Sequence, residues 1–365
     1  MQAEELRQSV RAEASFFSAT KARAVVTGFQ LSANLSARVA AIPLVTSHGG
    51  AFVGPVFENG LAPVPTTMPI PGTNWLPGWL KRKIANTGPL RMKGPSAFLN
   101  EIAAQLGVEP VPSIAALMMG DLTLLTEAPE VLGLSEEQVR AWTPRQPSAY
   151  RHNPKVVVTG PLFAQLDIEV PGDVASFMDG SEPTVYVVLN STSALMLHQV
   201  VSRVVAAGAR VIVGGTIHRV EGLRSNKVVA AQVLPSHRIM PAVDLVVGMG
   251  GQGTCQCAMA SGTPFIGIPL HPEQELNVAL VAQQHAGYAI SPRNATQQRM
   301  TDVVRWMLKE PRFKAGALKV QQTYRQWDGA ERAAQAIIEF LKVQPQAGIT
   351  RSRLEPATMS FGLSP

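Results

Sequence analysis

Two short runs in the second half of the chain bring together residue types that suit one ligand. In the first, Gly250-Gly-Gln-Gly253 follows a run of apolar residues and Thr254 opens a helical pattern. Glycines there let a backbone come close to a bound molecule. The N–H groups of Gly253, Thr254 and Cys255 are expected to stand free at the helix start, where the helix dipole favours an anion. The Thr254 hydroxyl is placed to cap the helix or to bond a phosphate oxygen. On its own such a loop is no more than a tight turn between strand and helix. The second run, Leu270-His-Pro-Glu-Gln274, gives it weight. Pro272 suits a first helical turn, so Glu273 and Gln274 project from another helix start. A carboxylate beside an amide accepts from and donates to neighbouring hydroxyls, as a sugar would require. The helix dipole alone also favours an acidic residue at that point. The two runs fall on consecutive strand–helix turns and so open onto one crevice.

The elements that must position these runs are regular. Apolar stretches at 185–189, 209–213, 228–233, 244–248, 264–269 and 288–291 read as strands. Between them, helical patterns run over 194–207, about 254–261 and 272–285, and further helices follow to about 342. Strands that are apolar throughout and alternate with helices predict a parallel sheet covered on both faces. Residues 156–186 form a seam, where a buried strand is followed by Pro161, Pro171, Gly172, Gly180 and Pro183. The tail from Val343 to Pro365 lacks periodicity and reads as loose.

The first half is less regular. Strands are expected at 24–27, 42–45, 121–125 and 156–158, with a helix at 31–40. The glycine- and proline-rich stretch 48–76 reads as a long surface loop, and helices are expected near 77–106. At 365 residues, 46% apolar and 16% charged, the chain has enough apolar sequence for two cores. Its net charge of +6 fits an anionic ligand, but the basic cluster Lys81-Arg-Lys83 with Arg91 and Lys93 reads as a solvated helix face rather than a nucleic-acid surface. The chain opens with alternating charges instead of a signal-peptide core, and no apolar run reaches the roughly 18 residues of a membrane helix. Two cysteines, Cys255 and Cys257, fit small packing residues in a reducing, cytoplasmic setting. No Asp-x-Asp metal motif is present.

The ordered run from Gly250 to Asn277 resembles the donor-site signature of GT-B glycosyltransferases of the UDP-glycosyltransferase and macrolide-glycosyltransferase type. The resemblance spans about 160 residues, from Val185 to about 342, and extends less specifically through 25–29 and 42–45. It implies an α/β protein of two Rossmann-like domains. Residues 1–165 would form an incomplete acceptor-side domain, 166–183 a linker and 184–342 the donor domain, with 343–365 outside both. The resemblance assigns the donor diphosphate to Ser191, Thr192, Gly251, Gln252, Gly253 and Thr254. Val233, Leu234 and Pro235 would pack on the nucleobase, and Glu273 and Gln274 would hold the sugar. The implied reaction is a metal-independent, inverting transfer from a UDP- or dTDP-type sugar to a hydroxyl of a small lipophilic acceptor, with no cofactor beyond the nucleotide sugar.

Several positions depart from that signature. Met249 stands where the family usually has a histidine on the diphosphate, a loss of about 1.5–3 kcal/mol, or one to two decades in affinity. Cys257 replaces a glutamate that grips the ribose in many members, and Asn190 stands where glycine is frequent. The strand, glycine turn and histidine base that open the family's first domain have no counterpart before residue 20. The strand at 24–27 is therefore expected to be an uncovered edge, open to a second copy or a partner chain. His48 is the one candidate for a replacement base, although a histidine in a glycine-rich loop is ordinarily a surface residue. His198, His218, His237 and His285 have no such claim, and His271 sits on the donor side. These departures also fit a different reading: a non-catalytic nucleotide-sugar-binding relative, or the partner subunit of an active transferase.

Overall fold

The computed structural model describes residues 3–65, 75–151, 154–190, 192–214, 217–218 and 220–343. Ser191, part of the expected long loop (66–74) and the expected tail beyond Val343 lie outside the described residues.

The first half runs α1 (Ala3–Ala19), β1 (Val25–Thr27), α2 (Ala33–Val39), β2 (Leu44–His48), α3 (Gly54–Glu58), α4 (Gly78–Arg91), α5 (Gly94–Leu106), α6 (Ile114–Met118), β3 (Leu122–Leu125), α7 (Glu136–Arg140) and β4 (Lys155–Val158). Its four strands form a parallel sheet in the order β1-β2-β3-β4. Among the described residues β1 pairs only with β2, and Val26 on that edge is 54% exposed. The part of the expected 48–76 loop that is described is more structured than its composition implies. A 3₁₀ turn at Gly50–Phe52 and α3 bury Ala51, Val53, Val56 and Phe57. α1, which composition did not reveal, lays Leu6, Val10 and Ala14 toward the core and packs on α2 and α5.

The second half runs α8 (Gly172–Met178), β5 (Thr184–Val188), α9 (Ala194–Ala206), β6 (Arg210–Val213), β7 (Val228–Ala230), α10 (Ser236–Ile239), β8 (Leu245–Gly248), α11 (Gln252–Ala260), β9 (Phe265–Gly267) and α12 (Pro272–Gln283). It closes with β10 (Gly287–Ala289), α13 (Pro292–Ala295), α14 (Gln298–Lys309), α15 (Pro311–Tyr324) and α16 (Gly329–Val343). Six parallel strands lie in the order β10-β9-β8-β5-β6-β7, so the chain reverses direction across the sheet between β5 and β8.

Strand alternation divides this half into two cores. Val185, Val187, Val211, Val213 and Val247 face one layer with α9 and α14, while Tyr186, Val188, Ile212 and Val246 face the other. α9 presents Leu197, Val200, Val201 and Val204, and α14 presents Met300, Val303, Val304 and Met307. Both sets follow the i, i+3, i+4, i+7 spacing of a helix with one buried face. Ser193 caps α9 by accepting from the Met196 N–H at 3.2 Å.

Two assignments along the chain change. The segment 166–183, read as a linker, contains α8, whose Val174 is fully buried in the second core with Phe177 packed beside it. α16, read with the second domain, returns to the first: Ala333 and Phe340 pack with Val45, Leu122 and Leu124 of β2 and β3. The return passes tightly over the seam, where a Cβ on Gly329 would lie 2.0 Å from the Pro161 carbonyl oxygen.

Phe340 holds that return in place at 6% exposure. Phe340→Ala is expected to destabilise the chain by about 3 kcal/mol, measured by urea unfolding. A loss below about 1 kcal/mol would mean that α16 does not seal the first sheet.

Candidate functional site

β8 lies in the interior of the second sheet, and its carboxyl end carries the glycine loop. Met249 drops into the core at 6% exposure rather than lining the crevice. Gly250 has φ +93°, a region that favours glycine. A Cβ there would also meet Val278 Cγ2 at 2.5 Å and the Gln274 carbonyl oxygen at 2.8 Å. Gly251 is the N-cap of α11, so the helix begins two residues earlier than its sequence implies. The Thr254 and Cys255 N–H groups already bond the Gly251 carbonyl, at 3.1 and 3.0 Å. Among the described residues, the donors left over at the helix start are the N–H groups of Gly251, Gln252 and Gly253. Thr254 sits at the third helical position and does not cap the helix. In front of Gly251 and Gly253 there is open space, since a Cβ on either would meet nothing within 4 Å.

α12 begins beside this loop. Its Asn277 amide donates to the Gly250 carbonyl at 3.0 Å and to Glu273 Oε1 at 2.6 Å, joining the two motifs. Glu273 remains 42% exposed, with His271 Nδ1 3.8 Å from its carboxylate. Gln274 is buried, and its Oε1 accepts from the Leu270 N–H at 2.8 Å. Across the β5–β8 switch, the Thr192 hydroxyl is buried without a partner among the described residues, and the Thr192 carbonyl meets His218 Nε2 at 2.5 Å. Val233 is exposed, whereas Leu234 packs beside Gly214 and Tyr186, and Pro235 is buried before α10. Of those three residues only Val233 offers its side chain to solvent. Cys257 is buried in the core and its thiol is pushed up to about 12 by burial.

The first domain meets this site from the other side. The Gly49 N–H, just past β2, donates to Gln252 Oε1 at 2.9 Å, and Gln252 Nε2 donates to Thr126 Oγ1 at 2.6 Å. One turn along α11, the Gln256 amide donates to the Thr126 carbonyl, and its Oε1 accepts from the Leu162 N–H at 3.1 Å. Behind them Glu127 is enclosed. Its Oε1 accepts from Tyr324 Oη at 2.6 Å and from the Ala128 N–H at 2.9 Å, and its Oε2 lies 3.3 Å from Gln256 Nε2. Burial pushes the Glu127 carboxyl up, and these three donors pull partly against it. A cavity of about 20 Å³ at this junction, large enough for one water, is lined by residues of both domains, including Glu127, Gln252, Gln256 and Tyr324.

His48 is not a surface loop residue. It ends β2, opposite Leu125 in register, and is 7% exposed. Its Nε2 has no partner among the described residues. Burial lowers its pKa to about 4, partly offset by a hydrogen bond with the Met118 backbone. Among the described residues no cluster of His, Cys, Asp and Glu could hold a metal ion, and no helix is long and apolar enough to cross a membrane.

Two parallel-sheet domains in this order are an arrangement shared with known proteins. The glycosyltransferase family 28 C-terminal domain matches residues 180–333. A PGL/p-HBAD biosynthesis glycosyltransferase of Mycobacterium tuberculosis is 23% identical over 329 residues, covering 87% of this chain and 71% of its own. The 4'-demethylrebeccamycin synthase of Lentzea aerocolonigenes is 28% identical over 166 residues, 44% of this chain and 39% of that protein. The solved structure of spinosyn rhamnosyltransferase SpnG complexed with thymidine diphosphate superposes with a TM-score of 0.61 at 14% identity, covering 92% of this chain and 79% of that one. The chain has the two-domain fold of the GT-B glycosyltransferases, and its residues 180–333 match the glycosyltransferase family 28 C-terminal domain.

The depressed pKa of His48 sets a pH dependence. The unfolded chain takes up a proton near pH 6.5 while the folded chain resists until about 4. Stability is therefore expected to fall as pH drops from about 6.5 toward 4, by up to about 3 kcal/mol from this group. Urea unfolding across that range should show a shallower decline in His48→Gln. Parallel curves would place the pH dependence elsewhere.

Proposed function

We propose that the chain transfers a sugar from a UDP- or dTDP-type nucleotide diphosphate sugar to a hydroxyl of a small lipophilic acceptor. The observation that carries this reading is the trio of uncommitted N–H groups at Gly251, Gln252 and Gly253 at the start of α11, with open space beside the Cα atoms of Gly251 and Gly253. Donors of this kind at a helix start suit a diphosphate and stabilise the charge that builds on it as it leaves. Thr192, with its unpartnered buried hydroxyl, and Thr254 add hydroxyl donors, and Ser191 belongs to the same loop as Thr192 in sequence. Glu273 offers an exposed carboxylate to sugar hydroxyls, and Gln274 has its NH₂ left after its oxygen bonds Leu270. Val233 supplies the apolar surface on the nucleobase side, with Leu234 and Pro235 supporting it from within.

The reaction is proposed as a metal-independent, inverting displacement. The acceptor hydroxyl attacks the anomeric carbon, loses its proton to a base, and the nucleoside diphosphate departs with the bonding pair. The thymidine diphosphate in a protein of similar fold supports a dTDP-type donor. Two buried free thiols suit a reducing, cytoplasmic setting. The open edge at β1 is proposed to take a partner chain or a second copy.

A second reading, a non-catalytic nucleotide-sugar-binding subunit, is favoured by Met249 and Cys257. Both are core residues where polar ligand contacts are usual for the type.

Isothermal titration with UDP and with dTDP is expected to show binding to at least one of them. The Thr254→Ala, Gln274→Ala double variant should weaken that binding at least about tenfold. Equal affinity in the folded double variant would move the donor site away from α11 and α12. Nucleotide binding without transfer to any of a panel of lipophilic alcohols would favour the non-catalytic reading.

A further inference from the structure

We infer that Gln252 and Gln256 are positioning residues through which the first domain sets the start of α11 and so shapes the nucleotide-binding loop; this rests on the donor-site reading above. The two residues stand one helical turn apart on one face of α11. That face meets segments that follow three different strands of the first sheet. Gly49, after β2, gives an N–H to Gln252, and Leu162, after β4, gives one to Gln256. Thr126, after β3, receives a hydrogen bond from each glutamine, on its hydroxyl from Gln252 and on its carbonyl from Gln256.

The chemistry requires amides. Each glutamine accepts from a backbone N–H and donates to an oxygen of Thr126, and a carboxylate could only accept. The approach at Gly49 is close, since a Cβ there would sit 3.1 Å from both Gln252 Cδ and Oε1. Below Gln256 the Glu127–Tyr324 hydrogen bond lies at the junction, so the contact is backed by buried polar groups.

Gln252 thus works on two sides. Its backbone N–H is among the donors left free for the diphosphate, while its side chain is committed to the first domain. A shift of this turn to suit a ligand must be felt at Gly49 and Thr126, and a shift of the first domain must be felt at the N–H donors. Such coupling is reciprocal: nucleotide binding tightens the domain contact by the same factor by which the contact tightens nucleotide binding.

Hydrogen exchange on the full chain tests this at the amides of Gly49 and Leu162. Without ligand, the Gln252→Ala, Gln256→Ala double variant is expected to exchange there at least about tenfold faster, with Val187 and Val247 in the second sheet unchanged. Unchanged exchange at Gly49 and Leu162 would overturn the proposal. If the double variant does not fold, Gln252→Leu is used, which removes both the acceptor for Gly49 and the donor to Thr126, with faster exchange then expected at Gly49. Saturating UDP or dTDP should slow exchange at Gly49 and Leu162 in the unsubstituted chain, and the variant should bind that nucleotide about tenfold more weakly. A purely structural contact would not produce that nucleotide-dependent protection. Protection confined to 249–255, with equal affinity in the variant, would leave the donor site standing and overturn the coupling. Absence of any protection by either nucleotide would remove the donor reading and the coupling with it.

Discussion

Parallel strands end in backbone groups that point past the sheet, and where another domain covers that end those groups must find partners inside the protein. This requirement organises the junction between the two halves. Gly49, Thr126 and Leu162 present N–H and carbonyl groups there, and Gln252 and Gln256 answer them. Gln284 of the second half does the same for the Val131 carbonyl. A buried donor or acceptor left without a partner costs about 1–3 kcal/mol, so sliding one domain over the other would break several such bonds at once. The junction is therefore held by directional bonds that fix one register. Leu276 and Leu280 of α12 add apolar contact with the first domain's core.

Much of the second half was legible in the sequence because its elements are built from local pattern. β5, β6 and β8 are apolar on both faces, as buried parallel strands must be, and α9 and α14 repeat a single buried stripe. The sequence puts the start of α11 two residues late because Gln252-Gly253 looks like loop and Thr254 looks like a cap. The helix takes its first turn from Gly251 without any side-chain cap, and that leaves no signature. α16 shows its amphipathic face plainly, but which sheet that face covers depends on where the chain has travelled. Periodicity carries no record of that. α1 was hidden because its buried residues, Leu6, Val10 and Ala14, are a thin stripe among charged and polar neighbours.

The site divides along the same line. The glycines and the Glu273-Gln274 pair stood out through residue type and spacing. Gln256, Glu127, Tyr324 and Asn277 did not, although they hold the crevice together. Tyr324 and Glu127 are far apart in sequence, and neither belongs to a motif. Asn277 could have been found, being four residues from Glu273 on the same helix face. At Met249, Leu234 and Cys257 the side chain belongs to the core. A position in a motif does not by itself say which way its side chain is used.

The return of α16 also bears on the order in which the molecule can assemble. Among the described residues, 25–158 supply the strands of the first sheet, yet part of one face of that sheet packs against residues 329–343. On the ribosome the chain emerges from its amino end, so Leu122 and Leu124 wait for their cover until the whole second half has been made. Domains more commonly fold as units in order of synthesis. Here the earlier unit is completed last. An apolar sheet face therefore stays bare throughout the translation of about 170 further residues, an interval in which a chaperone would have most to protect.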